Sequence, residues 1–208
     1  MPAEDLTVGR RAEIIAAASE LFEQVGYYST SMDDIAATVG IKKPSLYHHV
    51  KSKGQIVAWI HNSLADDLLA RLQRRINDGE DPQTVIFWVI SDILHALHDR
   101  PGHLRVYFEH HREIPDEYRA DAQRKRDAYS QLVSQVIASG VRRGAFRTDH
   151  VSLTTLALFG MCNWAYQWYR TDGSLSVDQI AAHFWRQFLN GISITHELDA
   201  AVPSDAVN

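Results

Sequence analysis

Lys42, Lys43, Lys51 and Lys53 fall within residues 35–65, a stretch with no aspartate or glutamate, and Ser45, Tyr47 and His48 lie among them. A lysine ammonium or a tyrosine hydroxyl is a common phosphate positioner, fixing the register of a protein on nucleic acid without carrying sequence information. The chain as a whole has 208 residues and is acidic, with a formal net charge of -5. Such a protein is repelled by DNA at long range, so an approach to phosphates requires a local acid-free window. A solvated, lysine-rich loop between two helices would carry the same charges, but this window coincides with the signals of a reading helix.

Those signals run through residues 31–55, SMDDIAATVGIKKPSLYHHVKSKGQ. Ser31 can cap a short helix, and Asp34 completes an acidic variant of the capping box while favouring the positive end of the helix dipole. Ile35, Ala36 and Val39 give that helix one apolar face, and Gly40 supplies the left-handed residue that stops it. The turn is only residues 40–42. Pro44 then sits in the first turn of a second helix, where a missing amide proton costs nothing, and Leu46 is the apolar anchor. Lys42, Lys43, Ser45, Tyr47 and His48 are left pointing outward. The pattern is a helix-turn-helix.

This segment resembles the DNA-binding domain of TetR-family transcriptional regulators. The family's first helix is similar to residues 11–25, with Ile14, Ile15, Ala18, Leu21 and Phe22 as its buried stripe, and its helix-turn-helix is similar to residues 32–50. The hallmark Leu-Tyr-x-His followed by Ser-Lys is present as Leu46, Tyr47, His48, His49, then Ser52 and Lys53. The resemblance implies that Ser31, Lys43, Tyr47, His48 and Lys53 hold phosphates of double-stranded DNA, while Lys42, Pro44 and Ser45 sit nearest base edges. Pro44 has no amide proton to give, so readout there is by shape or by apolar contact with a thymine methyl. Lys42 stands where a capping serine is more usual, which leaves base contact and phosphate contact both open to it.

The composition, 45% hydrophobic and 10% aromatic, suits a protein with a good core. About 50 residues for the reading head leave roughly 150 for one further domain. The expected division is residues 1–51 for the DNA-binding domain, 52–197 for a helical ligand-binding and dimerisation domain, and 198–208 for a disordered tail. No segment reaches the ~18 apolar residues of a membrane span, and the N-terminus is unlike a signal peptide, so a cytoplasmic protein without a membrane partner is expected. The single cysteine, Cys162, excludes an internal disulfide and lies in an apolar run that suits an inert buried thiol.

The fold class read from these patterns is all-α, with about nine helices. Ser52 and Gln55 predict a capping box, after which Ile56, Ile60, Leu64, Leu68, Leu72 and Ile76 run at four-residue spacing down a connector helix ending near Asn77 and Gly79. Pro82 opens the next helix, which Arg100-Pro101-Gly102 breaks. A shorter element over 103–113 ends near Pro115, a mostly polar helix over 116–139 is closed by Gly140, and two apolar helices over 151–169 and 176–192 finish the chain.

The last two helices are unusually aromatic. In the resembling family this pair packs against its copy as a four-helix interface, which implies a homodimer joined through Phe159, Tyr169, Phe184, Trp185, Phe188 and Ile192; the alternative is an ordinary core. Two recognition helices about one DNA turn apart would read a pseudo-palindrome.

His95, His98, His103, His110 and His111, with Glu109 and Glu113, raise the question of zinc. No fixed ligand spacing is present, and adjacent His110 and His111 point in different directions on a helix, so pocket lining or plain surface is the expectation and no metal or cofactor is assigned. There is no nucleophile elbow, glycine-rich phosphate loop or HExxH, so no catalytic residue is assigned and the chain reads as a non-enzyme.

By the same resemblance, the second domain encloses a small-molecule effector whose binding shifts the connector helix and mismatches the two heads to the operator, most often releasing a repressor. The C-terminal half resembles, more loosely, the branch that responds to acyl-CoA thioesters of lipid or sterol breakdown. An aromatic pocket of Phe87, Trp88, Tyr107, Phe108, Trp164 and Trp168, with His111, would take the acyl group. Arg119, Arg124, Lys125, Arg126, Arg142 and Arg143 would meet CoA phosphates, or form a solvated helix face. A regulator answering to a hydrophobic drug or aromatic compound, and a helical acyl-CoA- or metal-binding protein without DNA function, are the alternatives.

Overall fold

Strong local signals set the first elements. In the computed structural model, which describes residues 3–192, Ser31 Oγ accepts from the Asp34 amide at 3.1 Å while the Asp34 carboxylate accepts from the Ser31 amide at 2.7 Å. This reciprocal cap starts α2 (Met32–Val39), and Gly40, at φ 73°, ends it. α3 (Lys43–His49) carries Pro44 in its first turn and buries Leu46 completely. Before them lies α1 (Ala3–Gln24), which begins eight residues earlier than the sequence pattern suggests.

α4 (Lys53–Asn77) is the long connector. Ser52 Oγ accepts from the Gln55 amide at 3.1 Å, but the Gln55 side chain accepts from the Lys51 amide at 2.7 Å, so the box closes one residue early. α5 (Pro82–Asp99), α6 (Pro101–Glu109), α7 (Asp116–Arg142), α8 (Val151–Asn163) and α9 (Val177–Ile192) follow, with 3-10 turns at His111–Glu113 and Trp164–Gln167. The described residues contain nine α-helices and no strand. None of these helices is long and apolar enough to cross a membrane.

One stripe of α4 serves two cores. Ile56 and Ile60 pack with Ile14, Phe22, Ile35 and Leu46 of the head, while Leu64 and Leu72 pack with Ile90, Val133, Leu158 and Phe188 of the helices beyond. Burying each such side chain stabilises the fold by about 1.5–3 kcal/mol. The head's core also takes in Val106, Ile114 and Ala122 from α6 and α7. Apolar packing is therefore continuous across residue 51, where the sequence suggests a boundary.

Gly140 does not close α7, which continues to Arg142. A side chain at Gly140 would collide with the buried Phe146 ring, so this glycine admits an aromatic ring onto the helix, and Gly144, at φ 70°, makes the turn. The expected disordered tail, 198–208, lies outside the described residues.

Candidate functional site

Six of the eight residues expected at DNA are exposed on and around α3: Lys42, Lys43, Pro44, Ser45, Tyr47 and His48. Lys43 Nζ lies 2.7 Å from Asp33, and this bond raises the lysine pKa. The fold thus brings an acid against a window that has none in sequence. Both groups are exposed, so the pair is weak and exchanging Asp33 for another anion costs little.

The other two expected residues have partners within the chain. Ser31 is exposed, but its hydroxyl donates to Asp34 at 2.7 Å and its amide does the same, so the residue caps α2 and has no proton left for a phosphate. Lys53 turns inward. Its ammonium donates to the carbonyls of Tyr27 at 2.7 Å and Thr30 at 2.6 Å and sits 4.5 Å from the Tyr27 ring centroid. Burial lowers its pKa. Lys53 ties the turn between α1 and α2 to the first turn of α4, a geometry that depends on where residues 27–30 fold.

The 3-10 turn at His111–Glu113 presses on the same junction. His110 stacks on Tyr27 with centroids 4.8 Å apart, and the Tyr28 hydroxyl donates to Glu113 at 2.7 Å. A side chain at Gly54 would meet the Glu113 carbonyl oxygen at 2.5 Å. Between these contacts with the head, His111 lines two cavities of the second domain.

The first cavity, about 420 Å³, is mostly apolar and lies among α4, α5, α6, α7 and α8. Tyr107, Phe108 and His111 line it, with Leu64, Tyr129 and Phe159, and with Arg126, Asp127, Ser130 and Asn163 among its polar groups. The other four expected lining residues are elsewhere. Phe87 packs edge-on against Trp185 at 5.7 Å, and Trp88 lies under the Arg75 guanidinium at 4.8 Å. Trp164 and Trp168 are exposed, at 63% and 47%. Tyr129 was legible: with Val133, Val136 and Ile137 it forms an apolar stripe on the second half of α7.

The second cavity, about 330 Å³, is lined by Arg112, Arg119, Arg126 and Gln123 with His61 and His111, so His111 and Arg126 stand between the two. The basic set expected for phosphates divides. Arg119 and Arg126 line the cavity, whereas Arg124 pairs with Asp121 at 2.8 Å and Lys125 with Asp66 at 2.6 Å. Arg142 and Arg143 lie about 25 Å further along the α7 axis, too far to join one headgroup.

Several residues expected between subunits pack within the chain. Phe188 and Ile192 are buried, at 6% and 9%, and Trp185 donates to the Gln83 carbonyl at 3.0 Å, so α9 spends its aromatic side on α5. Phe184 packs against Trp168, and the Tyr169 hydroxyl hydrogen-bonds His98 at 2.6 Å. The exposed apolar stripe is instead Leu153, Leu156, Ala157, Gly160, Trp164 and Trp168, on α8 and its 3-10 extension.

The histidines are dispersed. His95 faces Asp178, His103 is buried beside Arg100, and the His111 ring meets the Phe108 carbonyl. Among the described residues, no three His, Cys, Asp or Glu side chains gather as a metal site. Burial pushes the Cys162 thiol up to about 12, as for an inert core residue.

Residues 14–59 match the family model for bacterial regulatory proteins of the tetR family, and residues 79–192 match the tetracyclin repressor-like C-terminal domain. The chain belongs to the TetR family. It is a helix-turn-helix transcriptional regulator with a ligand-binding C-terminal domain, and not an enzyme. This TetR-family chain is 29% identical over 199 residues to the HTH-type transcriptional repressor KstR2 of Rhodococcus jostii, covering 94% of this chain and 98% of that one. The ketosteroid transcriptional regulator KstR2 of Mycobacterium tuberculosis shares its fold, with a TM-score of 0.79 at 24% identity over 88% of this chain and 95% of that one. AibR, solved with isovaleryl coenzyme A and operator DNA, shares it with a TM-score of 0.76 at 24% identity, over 86% of this chain and 97% of that one.

Proposed function

We propose that this TetR-family regulator is a cytoplasmic homodimeric repressor, released from a pseudo-palindromic operator by an acyl-CoA thioester. The observation that carries the effector class is the pair of cavities that meet at His111 and Arg126, one apolar and one lined by arginines. An acyl chain suits the first and a polyanionic head the second. The repressor name of KstR2 and the coenzyme A ester in AibR belong to those proteins, and both support this reading.

Operator recognition rests on α3. Lys42, Pro44 and Ser45 meet base edges, and Lys43, Tyr47 and His48 hold phosphates. Dimerisation uses the exposed α8 stripe, where Ala157 and Gly160 let two helices approach closely between the larger Leu153, Leu156 and Trp164. It sets the two heads about 34–36 Å apart, one turn of DNA. Release follows from the 110–113 segment: a ligand that moves His111 also moves His110 and Glu113 against Tyr27, Tyr28 and Gly54. The effector must bind the DNA-incompetent arrangement more tightly, because equal affinity for both would shift nothing.

Fluorescence anisotropy on a labelled pseudo-palindromic duplex tests this reading. Lys43 of each subunit neutralises one phosphate, so affinity falls about tenfold between 50 and 200 mM salt, the tyrosine and histidine contacts releasing no counterion. Dodecanoyl-CoA releases the duplex at concentrations where coenzyme A and dodecanoate do not. A salt-independent binding constant would overturn the DNA assignment, and release by dodecanoate alone would overturn the thioester.

A further inference from the structure

His61 is a buried polar side chain that none of the roles above uses. It sits on α4 between Ile60 and Leu64, where the core of the head gives way to the distal core, and its relative exposure is 0%. Neither ring nitrogen has a hydrogen-bond partner among the described residues. An imidazole always presents at least one N–H, and a buried group of this kind left unpaired is costly, so the arrangement calls for a partner. The ring lies flat on Tyr107, with centroids 4.1 Å apart and planes 13° from parallel. Tyr107 lines the apolar cavity and His61 forms part of the wall of the arginine-lined one. Burial, reinforced by Arg126, His111 and Lys125, takes the imidazole pKa down to about 4, so at neutral pH the ring carries one donor and one acceptor.

We propose that His61 is an effector-binding residue: its ring nitrogens hydrogen-bond the thioester carbonyl and neighbouring amide of an acyl-CoA bound across the two cavities. This rests on the acyl-thioester reading above and names the group that reads the junction of the ligand. An effector that spans an apolar and a cationic compartment places its neutral polar linker between them, where His61 and Tyr107 stack. A ligand contact at His61 falls on the connector helix itself, eight residues from Lys53, about 12 Å along the axis from the latch that holds the head. Contact and output therefore share one rigid element.

His61→Phe tests the assignment, since it keeps the ring stacked on Tyr107 and removes both nitrogens. The variant keeps the wild-type Tm or exceeds it and binds the operator duplex as wild type does. Its affinity for dodecanoyl-CoA, measured by calorimetry, falls about ten- to a hundredfold, and His61→Gln recovers part of the loss. A His61→Phe protein that binds dodecanoyl-CoA within about twofold of wild type overturns the proposal and leaves the effector reading standing. Wild-type protein that binds no dodecanoyl-CoA overturns both. Should His61→Phe fail to fold, imidazole ¹⁵N NMR of the wild type decides. The His61 nitrogens shift when dodecanoyl-CoA is added, and unmoved resonances at saturation refute the contact.

Discussion

Gly54→Ala tests how the head is held. A methyl group there would lie 2.5 Å from the Glu113 carbonyl oxygen and 3.1 and 3.2 Å from Pro115 Cδ and Cγ. Ordinary contacts of carbon are about 3.5–4.0 Å, so the backbone at Glu113 has to retreat by roughly 1 Å. Overpacking of this kind costs about 1–3 kcal/mol, and alanine's better helix propensity returns at most about 1 kcal/mol, leaving a net loss of about 1–2 kcal/mol. For a chain of this size, Tm then falls by about 2–8 °C. The functional effect is more diagnostic. Retreat of Glu113 carries His110 and His111 with it, loosening the grip on Tyr27 and Tyr28 while deforming the cavity wall. Operator affinity without effector, divided by that at saturating dodecanoyl-CoA, measures the coupling, and this ratio moves toward one in Gly54→Ala. Gly191→Ala is the control, because a methyl group there meets no atom within 4 Å. A Gly54→Ala protein with wild-type Tm and an unchanged coupling ratio would refute the close approach at Glu113 as the link between ligand and head.

Lys53→Met removes two charge-assisted bonds to buried carbonyls and lowers stability by about 2–4 kcal/mol in urea melts, with the salt slope of operator binding unchanged; a slope reduced by one at full stability would return Lys53 to a phosphate. His61 and His103 both have folded pKa values of about 4 against 6.5 when unfolded. The unfolded chain takes up those protons first, so their stabilisation is complete above pH 6.5 and is lost as pH falls through 4. Each histidine contributes at most about 1.4 kcal/mol per pH unit, and His61→Phe should show a shallower decline in urea melts between pH 7 and 5; an identical decline would show that His61 titrates normally. Leu153→Glu, on the exposed α8 stripe and clear of both cavities, shifts the protein from dimer to monomer in light scattering, and an intact dimer would place the interface elsewhere.

Local chemistry made the reading head legible. The Ser31–Asp34 cap, the left-handed Gly40, Pro44 in the first turn and Leu46 as anchor are short-range devices, and all stand where the spacing put them. The second domain was legible as helices and less so as surfaces. Period 3.6 reveals that a helix has an apolar face, without saying whether a neighbour, a cavity or another subunit covers it. Phe188 and Ile192 were expected between subunits and are core because α5 reaches them first. Trp164 and Trp168 were expected around a ligand and are exposed because α8 turns that edge outward.

What the sequence by itself determined is the chain's kind: an all-helical TetR-family regulator with a basic reading helix on an acidic protein, because caps, turns and heptad-like spacing act within a few residues. Tertiary structure alone decided which charges are free and which polar groups lack partners. Asp33 meets Lys43 across ten positions, Lys53 spends its protons on carbonyls more than twenty residues back, and His61 is enclosed beneath Tyr107 with no hydrogen-bond partner among the described residues. Electrostatics and hydrogen bonding depend on distance in space, and no local pattern encodes the approach of residues that far apart in the chain.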